Sequence, residues 1–199
     1  MSKTSVRRTL VIMVIAGFVL TAAIILHFIL ISPDQGVPAP QITVIHKQVA
    51  NYGVPVRLEI PKIGVDAALD YVGITSQGEL GVPTGPANAG WYDLGPRPGE
   101  KGNAVIDGHF GYKDHIPAVF DNLHALQKGD KLYVKDIRGI TVTFLVRELR
   151  TYGPADYVPA VFRSSDGKAH LNLITCEGTW NQTQKSFSNR LVVFADKEI

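Results

Sequence analysis

Hydrophobic and polar positions divide the chain into two unlike parts. Leu10 through Ile31 carry no charge, and only Thr21 and His27 interrupt the run as polar residues. A helix over these residues would rise about 33 Å, enough for a hydrocarbon core of roughly 30 Å. Lys3, Arg7 and Arg8 precede the run, which predicts a cytoplasmic N-terminus. A cleaved signal peptide is the competing reading, but its apolar stretch is usually about 7–15 residues and ends at a small-residue cleavage site. The length favours an uncleaved anchor. The expected organisation is a cytoplasmic N-terminus over 1–9, a transmembrane signal anchor over 10–31, a linker over 32–55 and an extracytoplasmic domain over 56–199.

The linker is rich in turn formers, with Pro33, Gly36, Pro38, Pro40, Gly53 and Pro55. Within it, Ile42 to Val49 fits a short strand or a short helix. From Val56 onward the pattern is that of β-structure. Strands are predicted over 56–60, stopped by Pro61, over 104–106 ahead of Asp107-Gly108-His109, and over 130–135. Ile140 to Arg150 alternates polar and apolar residues, and Asp136-Ile137-Arg138-Gly139 reads as the turn before it. Leu171 to Thr175 and Leu191 to Ala195 complete the set. Val119 to Leu126 is the best helical segment, with Val119, Leu123 and Leu126 on one face and Gly129 as its stop. Many short strands, one short helix and 19 glycines argue for a small closed β-barrel or a sandwich.

Composition adds little to the fold but narrows the function. Apolar residues make up 45% and charged residues 19%, as in a packed globular chain. The formal charge of +2 is carried by the N-terminal segment, and the remainder stands at −1. No nucleic-acid footprint follows from this. There is one cysteine, Cys176, so an internal disulfide is excluded. The thiol falls where the predicted strand 171–175 stops. It is either a buried hydrophobe or a nucleophile, and a nucleophile needs a proton carrier and a place for the oxyanion. Of six histidines, His27 lies in the expected anchor, His46 in the linker, His115 in a loop, His124 in the predicted helix and His170 just ahead of the cysteine strand. His109 stands apart, at a strand end and flanked by Gly108 and Phe110-Gly111, which would let the backbone turn and expose the ring. Arg190 opens the next apolar strand. Taken singly, each has an ordinary structural explanation: a core thiol, a satisfied histidine, a surface cation.

Together these residues resemble the sortase family. Asn172-Leu173-Ile174-Thr175-Cys176 is similar to its T-L-x-T-C signature, and Arg190 stands where sortases place an arginine. Asn103 to His109 resembles the strand and G-H step that carry the sortase histidine, and Leu58 to Val65 resembles the I-P-x-I strand. The likeness covers about residues 56–195. It implies an eight-stranded β-barrel with one or two short helices, and a cysteine transpeptidase that cuts a sorting signal in a secreted protein and joins the new C-terminus to an amine. By the same resemblance, Cys176 forms a thioester, His109 exchanges the proton, and Arg190 holds substrate and stabilises the oxyanion. Guanidinium stays protonated, so Arg190 is no base. Under that mechanism the backbone N–H of Glu177 would be a second oxyanion donor, and Thr175 is either a β-branched strand residue or, by the resemblance, a substrate contact. Trp180 either lines the substrate groove or is structural. With reference pKa values of about 8.5 for Cys and 6.5 for His, the thiolate–imidazolium pair is only about 1% of the neutral pair, so the enzyme is expected to be slow.

Gly90-Trp91-Tyr92-Asp93-Leu94-Gly95-Pro96-Arg97-Pro98-Gly99-Glu100 resembles a stretch of class F and of related class D and E sortases. The sequence shows no lid with an Asp-Pro aromatic motif and no second hydrophobic span, which argues against a pilus-polymerising class C enzyme. A class F-like sortase acting on LPXTG-type signals is the expectation. Partners would be secreted proteins with a C-terminal sorting signal and an amine of peptidoglycan, its precursor or another surface protein. No cofactor or metal is expected: metal and nucleotide motifs are absent, and Asp66, Asp70, Glu79 and Asp156 are too scattered for a calcium site. Asn181-Gln182-Thr183 matches a glycosylation triplet that is common by chance. Two alternatives stay open, a thiol hydrolase on the same barrel and a non-enzymatic surface assembly module with a buried Cys176.

Overall fold

The computed structural model describes residues 51–111 and 116–199. Eight strands run in the order β1 (Pro55–Ile60), β2 (Val65–Val72), β3 (Ala89–Tyr92), β4 (Gly102–Gly108), β5 (Lys131–Asp136), β6 (Thr141–Tyr152), β7 (Ala169–Asn181) and β8 (Ser186–Lys197). They close into one barrel in the spatial order β1-β2-β3-β4-β7-β8-β6-β5. The pairs β2–β3 and β4–β7 are parallel and the others antiparallel. Closure leaves no unpaired edge in the ring.

Alternation along each strand sends one set of side chains inward. Leu58, Ile106, Leu132, Phe144, Leu171 and Val193 are fully buried in this core. The opposite face of β7 and β8 is not surrendered to water. Val192 and Phe194 turn outward and, with Val161, form a second small core that Tyr152, Val158 and Ile174 join. The connection from β6 to β7, residues 153–168, is thereby held against the outside of the barrel. Polar ties complete the attachment: the amides of Asn103 and Asn172 donate to the Val161 carbonyl. His170 lies between the carboxylates of Asp166 and Asp196, at 3.0 and 2.7 Å.

Several expectations are corrected. No α-helix occurs among the described residues, and the predicted helix 119–126 is only a 3₁₀ turn, Leu123–Ala125. Phe120, Leu123 and Leu126 do reach the core. However, Asp121 accepts from the N–H groups of Gly111 and Ala118, a local alternative to helical bonding in a segment too short to be helical alone. Two further 3₁₀ turns, Pro61–Ile63 and Pro159–Val161, each begin at a proline. The strand carrying Cys176 does not stop there: β7 runs on to Asn181 and pairs with Ser186 and its neighbours as an arm of the β7–β8 hairpin. Arg190 accordingly sits inside β8 and does not open it. The hairpin is turned by Gln182 to Lys185, where Asn181 Oδ1 accepts from the N–H groups of Thr183 and Gln184.

Residues 51–54, expected as linker, are fastened to the barrel. Arg97 donates to the Tyr52 carbonyl, Arg138 to that of Asn51, and Gly53 N–H to the Asp136 carboxylate. The apolar run over 10–31 lies outside the described residues, and no helix among the described residues is long and apolar enough to cross a membrane.

Asp136 ties this N-terminal segment to the turn between β5 and β6, which Gly139 closes at φ 81°. Burial works against its charge and is the largest single influence, but the N–H of Ile140, the Arg138 guanidinium and the N–H groups of Gly53 and Arg138 together outweigh it, and the carboxyl falls to about 2. A depressed carboxyl adds stability in full above its unfolded pKa of about 4, and the contribution is lost as pH falls toward 2. We expect Asp136→Asn to lower Tm by several degrees at pH 7, with the gap to the parent closing as pH is lowered. Thermal unfolding across pH measures this; a gap that persists unchanged in acid would contradict it.

Candidate active site

The β4–β7 and β7–β8 registers set three side chains level. Gly108 pairs with Thr175, so His109, the next residue of the chain, comes to the height of Cys176, and Cys176 pairs directly with Arg190. Neighbouring strands lie about 4.8 Å apart, so the three residues form a row across the sheet. They face outward, on the side where the β6–β7 connection packs, and all three line one cavity of about 410 Å³.

The floor of this cavity is β4, β7 and β8, and two connections make its walls. Glu79, Leu80 and Val82 come from the β2–β3 connection. Pro154, Asp156, Val158 and Phe162 come from the β6–β7 connection. Asp70 steadies the first wall by accepting from the Thr84 N–H and the Asn88 amide, and Asp156 steadies the second by accepting from the Gly153 N–H. These carboxylates serve the loops; no cluster of metal-ligating residues occurs among the described residues.

Each member of the row is restrained differently. Nε2 of His109 donates to the Pro83 carbonyl at 3.2 Å, which leaves Nδ1 for proton exchange. Arg190 donates to the carbonyls of Phe187 and Asn189 and to the Ser186 hydroxyl, so its guanidinium is held by its own hairpin. Burial pushes the Cys176 thiol above its ordinary range, the Arg190 charge pulls it down, and Asp107 pushes it up.

The other predicted site residues lie apart from this cavity. Thr175 points inward, is buried, and donates to the Gly108 carbonyl at 2.7 Å. Glu177 accepts from the Thr151 hydroxyl beside a bulge in the β7–β8 pairing. Trp180 stands 43% exposed on the hairpin arm and stacks edge-on with Phe187, which in turn meets Phe110. The apolar wall residues and Asp107 were not singled out from sequence, because they sit in loops without periodicity or inside a strand with no partner motif.

The family model for the sortase domain matches residues 58–198. The chain belongs to the sortase family. Solved sortases share its fold. Sortase C-1 from Actinomyces oris is 27% identical over 73% of this chain and 75% of that one, with a TM-score of 0.56. A lid mutant of sortase A from Corynebacterium diphtheriae is 24% identical over 77% and 74%, at 0.58. A sortase D5 transpeptidase from Clostridium perfringens is 24% identical over 74% and 79%, at 0.55. These relatives span classes A, C and D and single out none. Comparison with curated proteins gives no match. At the level of the family, the activity is cysteine transpeptidation on sorting signals.

The glycines flanking His109 play roles other than a symmetric sharp turn. Gly111 is left-handed at φ 87°, but Gly108 is ordinary strand, and its value lies in the missing Cβ. A Cβ there would stand 2.4 Å from Phe120 Cδ2 and 2.8 Å from Val119 Cγ1. We expect Gly108→Ala to cost about 1–3 kcal/mol by overpacking. Denaturant unfolding measures this, and adding Phe120→Leu should recover part of the loss. Unchanged stability in the single variant would contradict it.

Proposed function

We propose that this sortase is a class F-like, membrane-anchored transpeptidase in which Cys176, His109 and Arg190 act on an LPXTG-like signal. The alignment of the three side chains in one walled cavity is the observation that carries the reading. Class and signal rest on the resemblance of Gly90 to Glu100, and the anchor on the apolar run over 10–31, which would put the domain outside the cell.

The reaction follows from the side chains. The Cys176 thiolate attacks the scissile carbonyl, and Arg190 with the Glu177 N–H receives the oxyanion. Collapse breaks the C–N bond as the His109 imidazolium gives its proton to the leaving amine, leaving a thioester and neutral His109. An incoming amine attacks the thioester, its proton passes to His109, and the C–S bond breaks to restore the thiolate–imidazolium pair. The acceptor is an amine of peptidoglycan, its precursor or another surface protein. Trp180 extends the groove beyond the cavity, and Thr175 supports substrate binding by fixing the strand beneath Cys176.

The test is product mass from a signal peptide with and without added amine. Transpeptidation predicts an amine-dependent ligated product and a trapped Cys176 thioester. Cys176→Ala should abolish both, and product formed only with water would favour a thiol hydrolase. Arg190→Lys should lose about 10²-fold in kcat/KM, because an ammonium cannot reproduce the planar fork. Near-parental turnover would remove Arg190 from the site.

A further inference from the structure

Asp107 belongs to none of the roles above, yet it lies on the sheet face that carries the reaction. Alternation along β4 puts it on the same side as His109. Its partner across the parallel register is Ile174, two residues before Cys176, so the carboxyl is a diagonal neighbour of the thiol. It lines the same cavity as Cys176 and Arg190. All three hydrogen bonds of Arg190 go to Phe187, Asn189 and Ser186, and none to Asp107. The carboxyl therefore stands in an enclosed site with a cation nearby that it does not grip.

We propose that Asp107 is a positioning residue of this site, whose charge decides how fully the Arg190 guanidinium acts on Cys176. The proposal rests on the reading of Cys176 as the nucleophile. With the carboxyl neutral, the Arg190 charge favours the thiolate unopposed. With the carboxyl ionised, the two charges largely cancel and the thiol is harder to ionise. Burial pushes Asp107 up to about 7, against the lowering pull of the Gly108 N–H and of Arg190, so the change of state falls near neutrality. Among the described residues, the other titratable or charged groups facing the cavity are Glu79 from the β2–β3 connection, His109 after β4, Tyr152 at the end of β6, Asp156 from the β6–β7 connection, Cys176 of β7 and Arg190 of β8. Among the carboxylates of the described residues, Asp107 alone stands on the strand face beside the thiol; Glu79 and Asp156 belong to the walls.

The single cysteine makes the test specific. The rate of iodoacetamide alkylation of the full chain in detergent is followed from about pH 5.5 to 11, far enough to pass a thiol raised above its ordinary range. Asp107→Asn is expected to move the thiolate inflection down by about 0.5 unit or more, a roughly threefold faster alkylation between neutrality and the inflection, with the advantage fading below about 7, where the parent's carboxyl is itself neutral. Asp107→Ser should shift it in the same direction, which separates the lost charge from the lost shape. An unmoved inflection in either variant, with circular dichroism and Tm matching the parent, overturns the proposal. The underlying reading fails separately: if acyl transfer survives Cys176→Ala, the nucleophile is misassigned, whatever Asp107 does to the thiol.

Discussion

The whole site depends on the register between β4 and β7. Two parallel strands that meet only because the barrel closes set Gly108 beside Thr175, and a hydroxyl-to-carbonyl bond locks that level. A slip of one residue would turn Cys176 into the core and lift His109 out of reach, since alternate side chains face opposite sides. The inward threonine therefore does structural work that an outward one could not. Because β7 pairs with β4 on one side and β8 on the other, one strand fixes the height of three side chains. Gly108 and Thr175 are 67 residues apart in sequence, as are their neighbours His109 and Cys176, and the sheet removes that separation.

The second determinant is the small core outside the barrel. Val192 and Phe194 would be exposed on a bare sheet, and covering them recruits the β6–β7 connection. That cover becomes a cavity wall, excluding water from one side of the thiol. The result is chemically double-edged. Burial strengthens the field of Arg190 and at the same time disfavours the thiolate that the field is meant to favour. The site is thus a compromise between access to a reactive sulfur and shelter for the reaction.

Much of this was legible in the residues. Alternation located β5 and β6, short apolar runs located β1, β4 and the barrel portions of β7 and β8, and the motif residues marked the row. Two strands were missed for physical reasons. β2 alternates with small alanines and with aspartates, a weak hydrophobic signal, and β3 has only four residues, Ala89–Tyr92. The helix over 119–126 was read from spacing that a chain with Phe120, Leu123 and Leu126 buried produces equally well in a 3₁₀ turn. The far half of β7 looked like loop because Gly178 and polar neighbours conceal a strand that exists only through pairing with β8. Asp107 was legible as a residue but not as a buried charge, since burial comes from walls contributed by distant connections.

Burial that disfavours the Cys176 thiolate has a consequence for durability. Oxidants attack the thiolate, so the same burial that disfavours it also opposes oxidation of the half-sheltered Cys176 to sulfenic and sulfinic acid. The chain has no second cysteine to capture a sulfenic acid as a disulfide. Once oxidised, a molecule could be restored only by an external thiol. A disfavoured thiolate thus lengthens the life of a sulfur that the chain itself has no means of repairing.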